Sequence, residues 1–209
     1  MKETIHELKK AFYVVWDDLW TIWMTEILFV VCSLPIVTAP AAFTGFYYTM
    51  HELANGESVG WRTFFNGIKQ YIWVGYRWFG LNLVVVIMLL FDAYFFLTTQ
   101  SDSGQGWGLF FSGIPLGVLV LWGLLNLYTF PLMLIQEKPS YRQALCNSII
   151  IYLKWPGFVL IFSLLSIIIL VVSAWLTIPW LIFGVSLPAL LSCIGLRVIT
   201  EEKEKISGM

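Results

Sequence analysis

The sequence predicts an all-α integral membrane protein with about five transmembrane helices, and three observations support that fold class. Hydrophobic residues make up 59% of the 209-residue chain and charged residues only 12%, against roughly half and a quarter in soluble domains. The apolar residues also come in blocks close to the ~20 residues that a helix needs to cross a bilayer. These blocks lack the alternation of barrel strands, so the spans are helices, and we treat residues 1–209 as one membrane domain.

The predicted elements follow in order along the chain. Residues 1–18 form an amphipathic segment that suits the headgroup region, and a first apolar block runs from about residue 19 to 50. Further spans are predicted at 75–98, 107–135, 156–177 and about 180–199. Proline removes a backbone donor and kinks or breaks helices. The candidate helix breaks are Pro35, Pro40, Pro131 and Pro188.

Two amphipathic helices are predicted between the spans, at 61–73 and 141–154. In each, apolar residues recur at helical spacing with polar residues between them. Each begins with an aromatic residue followed by arginine, which makes Arg62 and Arg142 candidate partner contacts. We expect both helices to lie in the membrane interface on the cytoplasmic side.

The aromatic-arginine start recurs at an offset of 80 residues, and other pairs share that offset. They are Pro35 with Pro115, Tyr48-Thr49 with Tyr128-Thr129, and Glu57 with Glu137. Several matches in one register predict a duplication, with unit one at about 19–98 and unit two at about 99–178. Each unit has two spans, so the repeat is parallel, and the final span at 180–199 resembles the start of a third unit.

The distribution of lysine and arginine predicts the orientation of the chain. Segments 51–77, 136–154 and the carboxyl-terminal tail carry these residues, whereas the loop at 99–106 has none. The positive-inside rule then places both amphipathic helices and the carboxyl terminus in the cytoplasm. Residues 19–50 either cross once, with the amino terminus outside, or form two half-spans hinged at the prolines, with the amino terminus inside. The repeat register favours the single crossing.

Ionisable and amide side chains inside the apolar blocks are the candidate intramembrane polar residues, because burying them in lipid is costly. Glu26 and Asp92 either reach the interface or pack between helices, or they serve a ligand or proton. Asn82 and Asn126 lie deeper and are expected to form interhelical hydrogen bonds, with a small polar cavity as the alternative. The break at Pro35–Pro40 is either an ordinary kink or a binding site that uses freed backbone groups.

The residues give no indication of a reaction. His6 and His51 have no metal-ligand partner at helical spacing, the three cysteines lack CxxC spacing, and phosphate-binding glycine loops are absent from the sequence. The net charge of −1 does not favour nucleic acid. We therefore predict a protein that is not an enzyme and uses no catalytic residue, cofactor or metal.

Several short segments resemble the YesL-like family of bacterial membrane proteins. They are PAAFTGFYY at 40–48, WRTFF at 61–65, YTFPL at 128–132 leading into YRQAL at 141–145, and Pro188 through LRVI at 196–199. The resemblance implies a multi-span membrane protein of unestablished biochemical role, common in Gram-positive bacteria and often associated with carbohydrate utilisation. It supplies no catalytic residues.

Two functions are compatible with these features. The first is an accessory or regulatory membrane component, associated with carbohydrate uptake or utilisation, whose cytoplasmic helices contact transporter subunits. The second is a small transporter or channel acting alone, which the repeat and the broken first block motivate. The predicted partners are the lipid bilayer and either transporter subunits or further copies of this chain. The predicted location is the bacterial cytoplasmic membrane.

Overall fold

A computed structural model describes residues 16, 18–101, 107–136, 138–175 and 185–207, and all regular structure within these ranges is helical. The α-helices are α1 (Leu19–Ser33), α2 (Ala39–Ala54), α3 (Trp61–Ser101), α4 (Trp107–Ile135), α5 (Tyr141–Lys154), α6 (Pro156–Trp175) and α7 (Ser186–Ser207). The predicted segment 1–18 lies almost wholly outside the described residues, as do residues 102–106 and the predicted turn at 179.

The first apolar block folds into a helical hairpin. A short 3-10 turn, Ile36–Thr38, separates α1 from α2. The ring centroids of Phe29 and Phe46 lie 5.0 Å apart, whereas 17 residues of straight helix would separate them by about 25 Å. Both helices, with 15 and 16 residues, are shorter than the ~20 residues of a span. This fold-back agrees with two hinged half-spans and disagrees with the single crossing that the repeat register favours.

The helix α3 differs from the predicted arrangement because it is continuous over 41 residues. Residues 61–73 are therefore the first turns of a long helix and not a separate interfacial helix. At 1.5 Å per residue α3 is about 60 Å long, roughly twice the hydrocarbon thickness of a bilayer. These turns pack against α2: Phe64 is fully buried, and a Cβ atom on Gly67 would lie 2.6 Å from Tyr48 Cβ.

Helices α4 to α6 continue the chain with one sharp bend. The helix α4 runs on through Pro115 and Pro131, so Pro131 does not mark a break. The helix α5 has the bounds predicted for the second amphipathic helix. The helix α5 meets the Val159–Ile169 part of α6 at an angle of 109°. Pro156 is the first residue of α6, a position where the backbone N–H has no intrahelical acceptor, so a proline there costs no hydrogen bond.

The helix α7 lies at the centre of the bundle and contacts α2, α4 and α6. Its residues 188–196 are all buried within the protein, and Pro188 lies in its first turn, where proline is tolerated. The predicted fifth span at 180–199 thus begins outside the described residues. Its described apolar part, Ser186–Thr200, is shorter than a membrane span.

Two helical segments among the described residues are long and apolar enough to cross a membrane, Trp61–Thr98 and Phe110–Ile135. The bent pair of α5 and α6 makes a third if it is counted as one span. Many of their outward side chains are large and apolar, such as Phe91 at 65% exposed and Leu164 at 62% exposed. Such a surface suits contact with lipid, because exposing it to water is unfavourable.

One end of the bundle carries most of the described charged residues, and we call it the charged end. It contains the carboxyl ends of α2 and α4 and the amino ends of α3 and α5. The hydroxyl of Tyr71 on α3 donates to the carbonyl of Leu134 in the last turn of α4 at 3.5 Å. Arg197 of α7 donates to the carbonyl of Ala54 at the end of α2. These contacts join four helices at this end.

Candidate functional site

Glu26 is the most deeply buried carboxylate among the described residues, with 1% of its surface exposed. It projects from α1 toward the start of α7. Its Oε1 accepts the backbone N–H of Val185 at 3.2 Å, and its Oε2 accepts that of Ser186 at 3.0 Å. The first N–H groups of a helix have no intrahelical partner and carry partial positive charge. Glu26 therefore caps α7 from another helix, which is the helix-packing alternative for this residue.

Arg197 makes a corresponding contact from the middle of α7. Its guanidinium donates to the carbonyl of Ala54, the last residue of α2. Carboxyl-terminal carbonyls of a helix carry partial negative charge, so a cation stabilises them. Glu26 and Arg197 thus connect the start and the middle of the central helix to the α1–α2 hairpin. From the sequence, Arg197 is predicted at the end of the fifth span and counted with the cations of the tail, and no contact is predicted for it, although it lies between the apolar residues Leu196 and Ile199.

The two asparagines meet at one tryptophan between α3 and α4. The indole N–H of Trp122 donates to Asn82 Oδ1 at 2.9 Å. The amides of Asn82 and Asn126 each donate to a carbonyl four residues earlier, those of Trp78 and Trp122, at 2.8 Å. The arrangement is an interhelical hydrogen bond supported by local backbone contacts. Trp122 was not among the predicted residues, although an indole N–H inside an apolar span needs an acceptor.

The other predicted site residues lie at the surface and are not brought together with Glu26. Asp92 is exposed in the carboxyl-terminal half of α3. Arg62 and Arg142 are exposed in the first turns of α3 and α5, and the Arg62 guanidinium carbon lies 5.3 Å from the centroid of the Trp61 ring. This distance is within the range of a cation–π contact.

The carbonyls that the helix break frees near Pro35 have protein donors. The Thr38 hydroxyl lies 2.6 Å from the carbonyl oxygen of Cys32 and 2.8 Å from that of Pro35. The Tyr76 hydroxyl on α3 donates to the carbonyl of Val37 at 2.7 Å. The Pro35 carbonyl also accepts the backbone N–H of Thr38 at 2.9 Å, so each of these three carbonyls has a protein donor. The geometry therefore favours a structural turn over a ligand site at this break.

A polar cavity of about 200 Å³ lies at the charged end between α2 and α3. It is lined by Tyr48, Glu52, Glu57, Ser58, Val59, Thr63 and Asn66. Close by, burial lowers the pKa of His51, whose Nε2 accepts a hydrogen bond from the Asn55 amide at 3.2 Å. In the part of the chain that the structure describes, no three His, Cys, Asp or Glu residues lie close enough to hold a metal ion.

The geometry defines an all-helical protein with two or three candidate membrane spans. Comparisons of the chain with protein-family models, with curated proteins and with solved structures find no match.

Proposed function

We propose that this chain is an accessory or regulatory membrane subunit that binds a partner protein through its charged end. The observation that carries the proposal is the exposure of an arginine at the start of α3 and of α5, with exposed aromatic side chains beside the first. Trp61 is 54% exposed and Phe65 46% exposed, beside the exposed Arg62, and Arg142 is exposed at the corresponding position of α5. Tryptophan and arginine are the residues enriched at binding hot spots.

The chemistry of these helix starts suits a partner with carboxylates. Arginine binds carboxylates in a bidentate geometry and stacks on aromatic rings. Trp61 already lies within cation–π distance of Arg62, so the guanidinium is partly oriented before a partner arrives. Pre-organised side chains lose less conformational entropy on binding. We therefore expect an acidic partner surface at the charged end.

The interior between α2, α3 and α4 supports a packed scaffold more than a conducting path. The ring centroids of Phe43 and Trp78 lie 4.9 Å apart in a stacked arrangement. Phe130 packs edge-on against Phe43, Tyr47 and Trp78 at 5.0 to 5.2 Å. Aromatic contacts at these distances fill the space between the helices, whereas a solute pathway needs polar groups and room for water.

We also propose that the chain contains an internal duplication with an offset of 80 residues. Thr49 Oγ1 donates to the Gly45 carbonyl and Thr129 Oγ1 to the Leu125 carbonyl, both at 2.8 Å, and both pairs differ by 80 residues. The equivalent positions 64 and 144 are both fully buried. These equivalences support a duplication of the helix pair. We also propose a cytoplasmic location for the charged end, from the positive-inside rule, in a bacterial cytoplasmic membrane.

Membership of the YesL-like family, and with it an association with carbohydrate uptake or utilisation, is proposed from the sequence resemblance alone. Under this proposal the partner is a subunit of a carbohydrate transporter. A second copy of this chain is the other partner that the experiment must distinguish.

The test is co-purification from membranes in a mild detergent, followed by mass spectrometry of the bound proteins. The variant Arg62→Glu with Arg142→Glu is expected to reduce the amount of bound partner at least tenfold and to leave insertion unchanged. The matched control, Lys203→Glu with Lys205→Glu, changes the net charge by the same amount in the tail. It is expected to retain the partner.

Two results would count against the proposal. Equal partner recovery from wild type and the double arginine variant would exclude binding through the helix starts. A chain that purifies without any partner and moves solute in proteoliposomes would favour the transporter alternative, particularly if Asp92→Asn or Asn126→Leu changed the flux.

A further inference from the structure

A groove of about 280 Å³ lies at the charged end, where α4, α5 and α7 meet. It is lined by Leu132, Asn147, Ile150, Ile151, Lys154, Trp155, Ile199 and Thr200. Four of these residues are aliphatic. Lys154 is the charged member of the lining, and no carboxylate is among the described lining residues. The groove therefore combines an apolar floor with one exposed cation and several hydrogen-bonding groups.

The groove lies where three apolar segments of the chain end. Leu132 is in the last turn of α4, whose candidate span ends at Ile135, and Thr200 is the last residue of the apolar part of α7. Lys154 ends α5 just before the 109° bend into the apolar helix α6. Lysine and tryptophan at such boundaries are typical of the headgroup level of a bilayer. The groove therefore lies at the level expected for a lipid headgroup and the first part of its acyl chains.

The size of the groove is sufficient for part of a lipid molecule. Pockets that enclose a whole small molecule have volumes of about 300 to 1,000 Å³, and this groove is slightly smaller. A phospholipid needs only its phosphate and upper chain segments in the groove, because the remaining chains stay in the bilayer. Basic pockets between membrane helices are a known mode of recognition for acidic headgroups.

We propose that this groove binds one anionic phospholipid. Its phosphate lies at Lys154 and accepts a hydrogen bond from the Asn147 amide, and the upper part of an acyl chain lies on Ile150, Ile151 and Ile199. Charge complementarity between the single lysine and the phosphate selects the headgroup, and the apolar floor holds the chain. This inference does not depend on the proposed partner protein.

The test uses nanodiscs that contain phosphatidylglycerol and phosphatidylcholine, with native mass spectrometry of the released protein. Wild type is expected to retain one phosphatidylglycerol in preference to phosphatidylcholine. Lys154→Gln is expected to lower that retention about tenfold, which corresponds to ~1.4 kcal/mol. Lys69→Gln, which removes an exposed lysine outside the groove, is the matched charge control and is expected to retain the lipid.

A second pair of variants tests the groove without changing its charge. Ile150 lines the groove and is 50% exposed, so Ile150→Trp fills part of it. Leu153 on the same helix is 76% exposed and is not a lining residue, so Leu153→Trp adds the same side chain elsewhere. We expect Ile150→Trp to lose the lipid and Leu153→Trp to retain it. If both variants keep the thermal stability of the wild type, the loss of lipid is a local effect in the groove.

Three outcomes would overturn the inference. One is equal retention of phosphatidylglycerol by wild type, Lys154→Gln and Ile150→Trp. Another is equal retention of phosphatidylcholine by wild type, which would remove the role of the acidic headgroup. The third is displacement of the lipid by millimolar glycerol phosphate, because the apolar floor would then contribute nothing to binding.

Discussion

Replacing Glu26 by glutamine tests whether this side chain holds the central helix α7 in place. Both carboxylate oxygens accept backbone N–H groups, at 3.2 and 3.0 Å, and the residue is 1% exposed. Glu26→Gln keeps the shape of the side chain and one acceptor oxygen, but it places an amide N–H₂ group against the second backbone donor. The variant thus leaves one backbone N–H at the start of α7 without an acceptor.

The expected loss follows from the donor that the amide leaves without an acceptor. A buried donor without a partner costs about 1 to 3 kcal/mol. We expect the free energy of unfolding to fall by roughly 1 to 3 kcal/mol. For a chain of 150 to 250 residues each kcal/mol lowers the Tm by about 2 to 4 °C, so the Tm should fall by roughly 2 to 12 °C.

The assay is thermal unfolding in detergent, monitored by loss of the monodisperse species. The matched control is Asp92→Asn, which makes the same chemical change at an exposed position of α3. Exposed substitutions usually change stability by less than about 0.5 kcal/mol. A Tm for Glu26→Gln within 2 °C of wild type, or equal shifts for both variants, would refute the capping role of Glu26.

Two further predictions concern the helix contact and the response to pH. Gly75→Ala places a Cβ atom 2.2 Å from Thr44 Cγ2 and 2.9 Å from a backbone carbonyl, so the Tm should fall by an amount equivalent to about 1 to 3 kcal/mol. Gly80→Ala, with open space at its Cβ, should match or exceed wild type, and equal behaviour of the two variants would contradict the close contact. Burial lowers the pKa of His51, so the unfolded chain binds its proton at a higher pH than the folded chain does. The Tm of the wild type should therefore fall as the pH drops below about 6.5. His51→Gln should lose less stability than the wild type between pH 7.5 and 5.5. An identical loss in both proteins would show that His51 does not cause the pH dependence.

The features that follow from local patterns could be predicted from the sequence. The helix break around Pro35 and the bounds of α5 belong to this group, because proline and helical periodicity act over a few residues. The continuity of α3 could not be predicted in this way. The change from an amphipathic to an apolar pattern near Gly75 resembles a helix end, but Gly75 is in fact a place where α2 packs closely against α3.

The candidate site shows a similar division. Glu26 is recognisable as an acid in an apolar block, but its partners are backbone N–H groups 159 and 160 residues away. Backbone donors have no sequence signature, so only the fold identifies them. For Arg197 and Trp122 a weaker signal was present, since a buried charge or indole N–H needs a partner. The identity of that partner again depends on tertiary contacts.

The orientation of the charged end is the most direct test of the proposal that it binds a cytoplasmic partner. The measurement is labelling of single cysteines with a membrane-impermeant maleimide in bacterial cells, after Cys32, Cys146 and Cys193 have been replaced by alanine. Ser58→Cys lies at the charged end, where Ser58 is exposed, and Ser103→Cys lies in the loop predicted to face outward. We expect Ser103→Cys to label in intact cells and Ser58→Cys to label only after permeabilisation. Labelling of Ser58→Cys in intact cells would place the charged end outside and contradict the proposal.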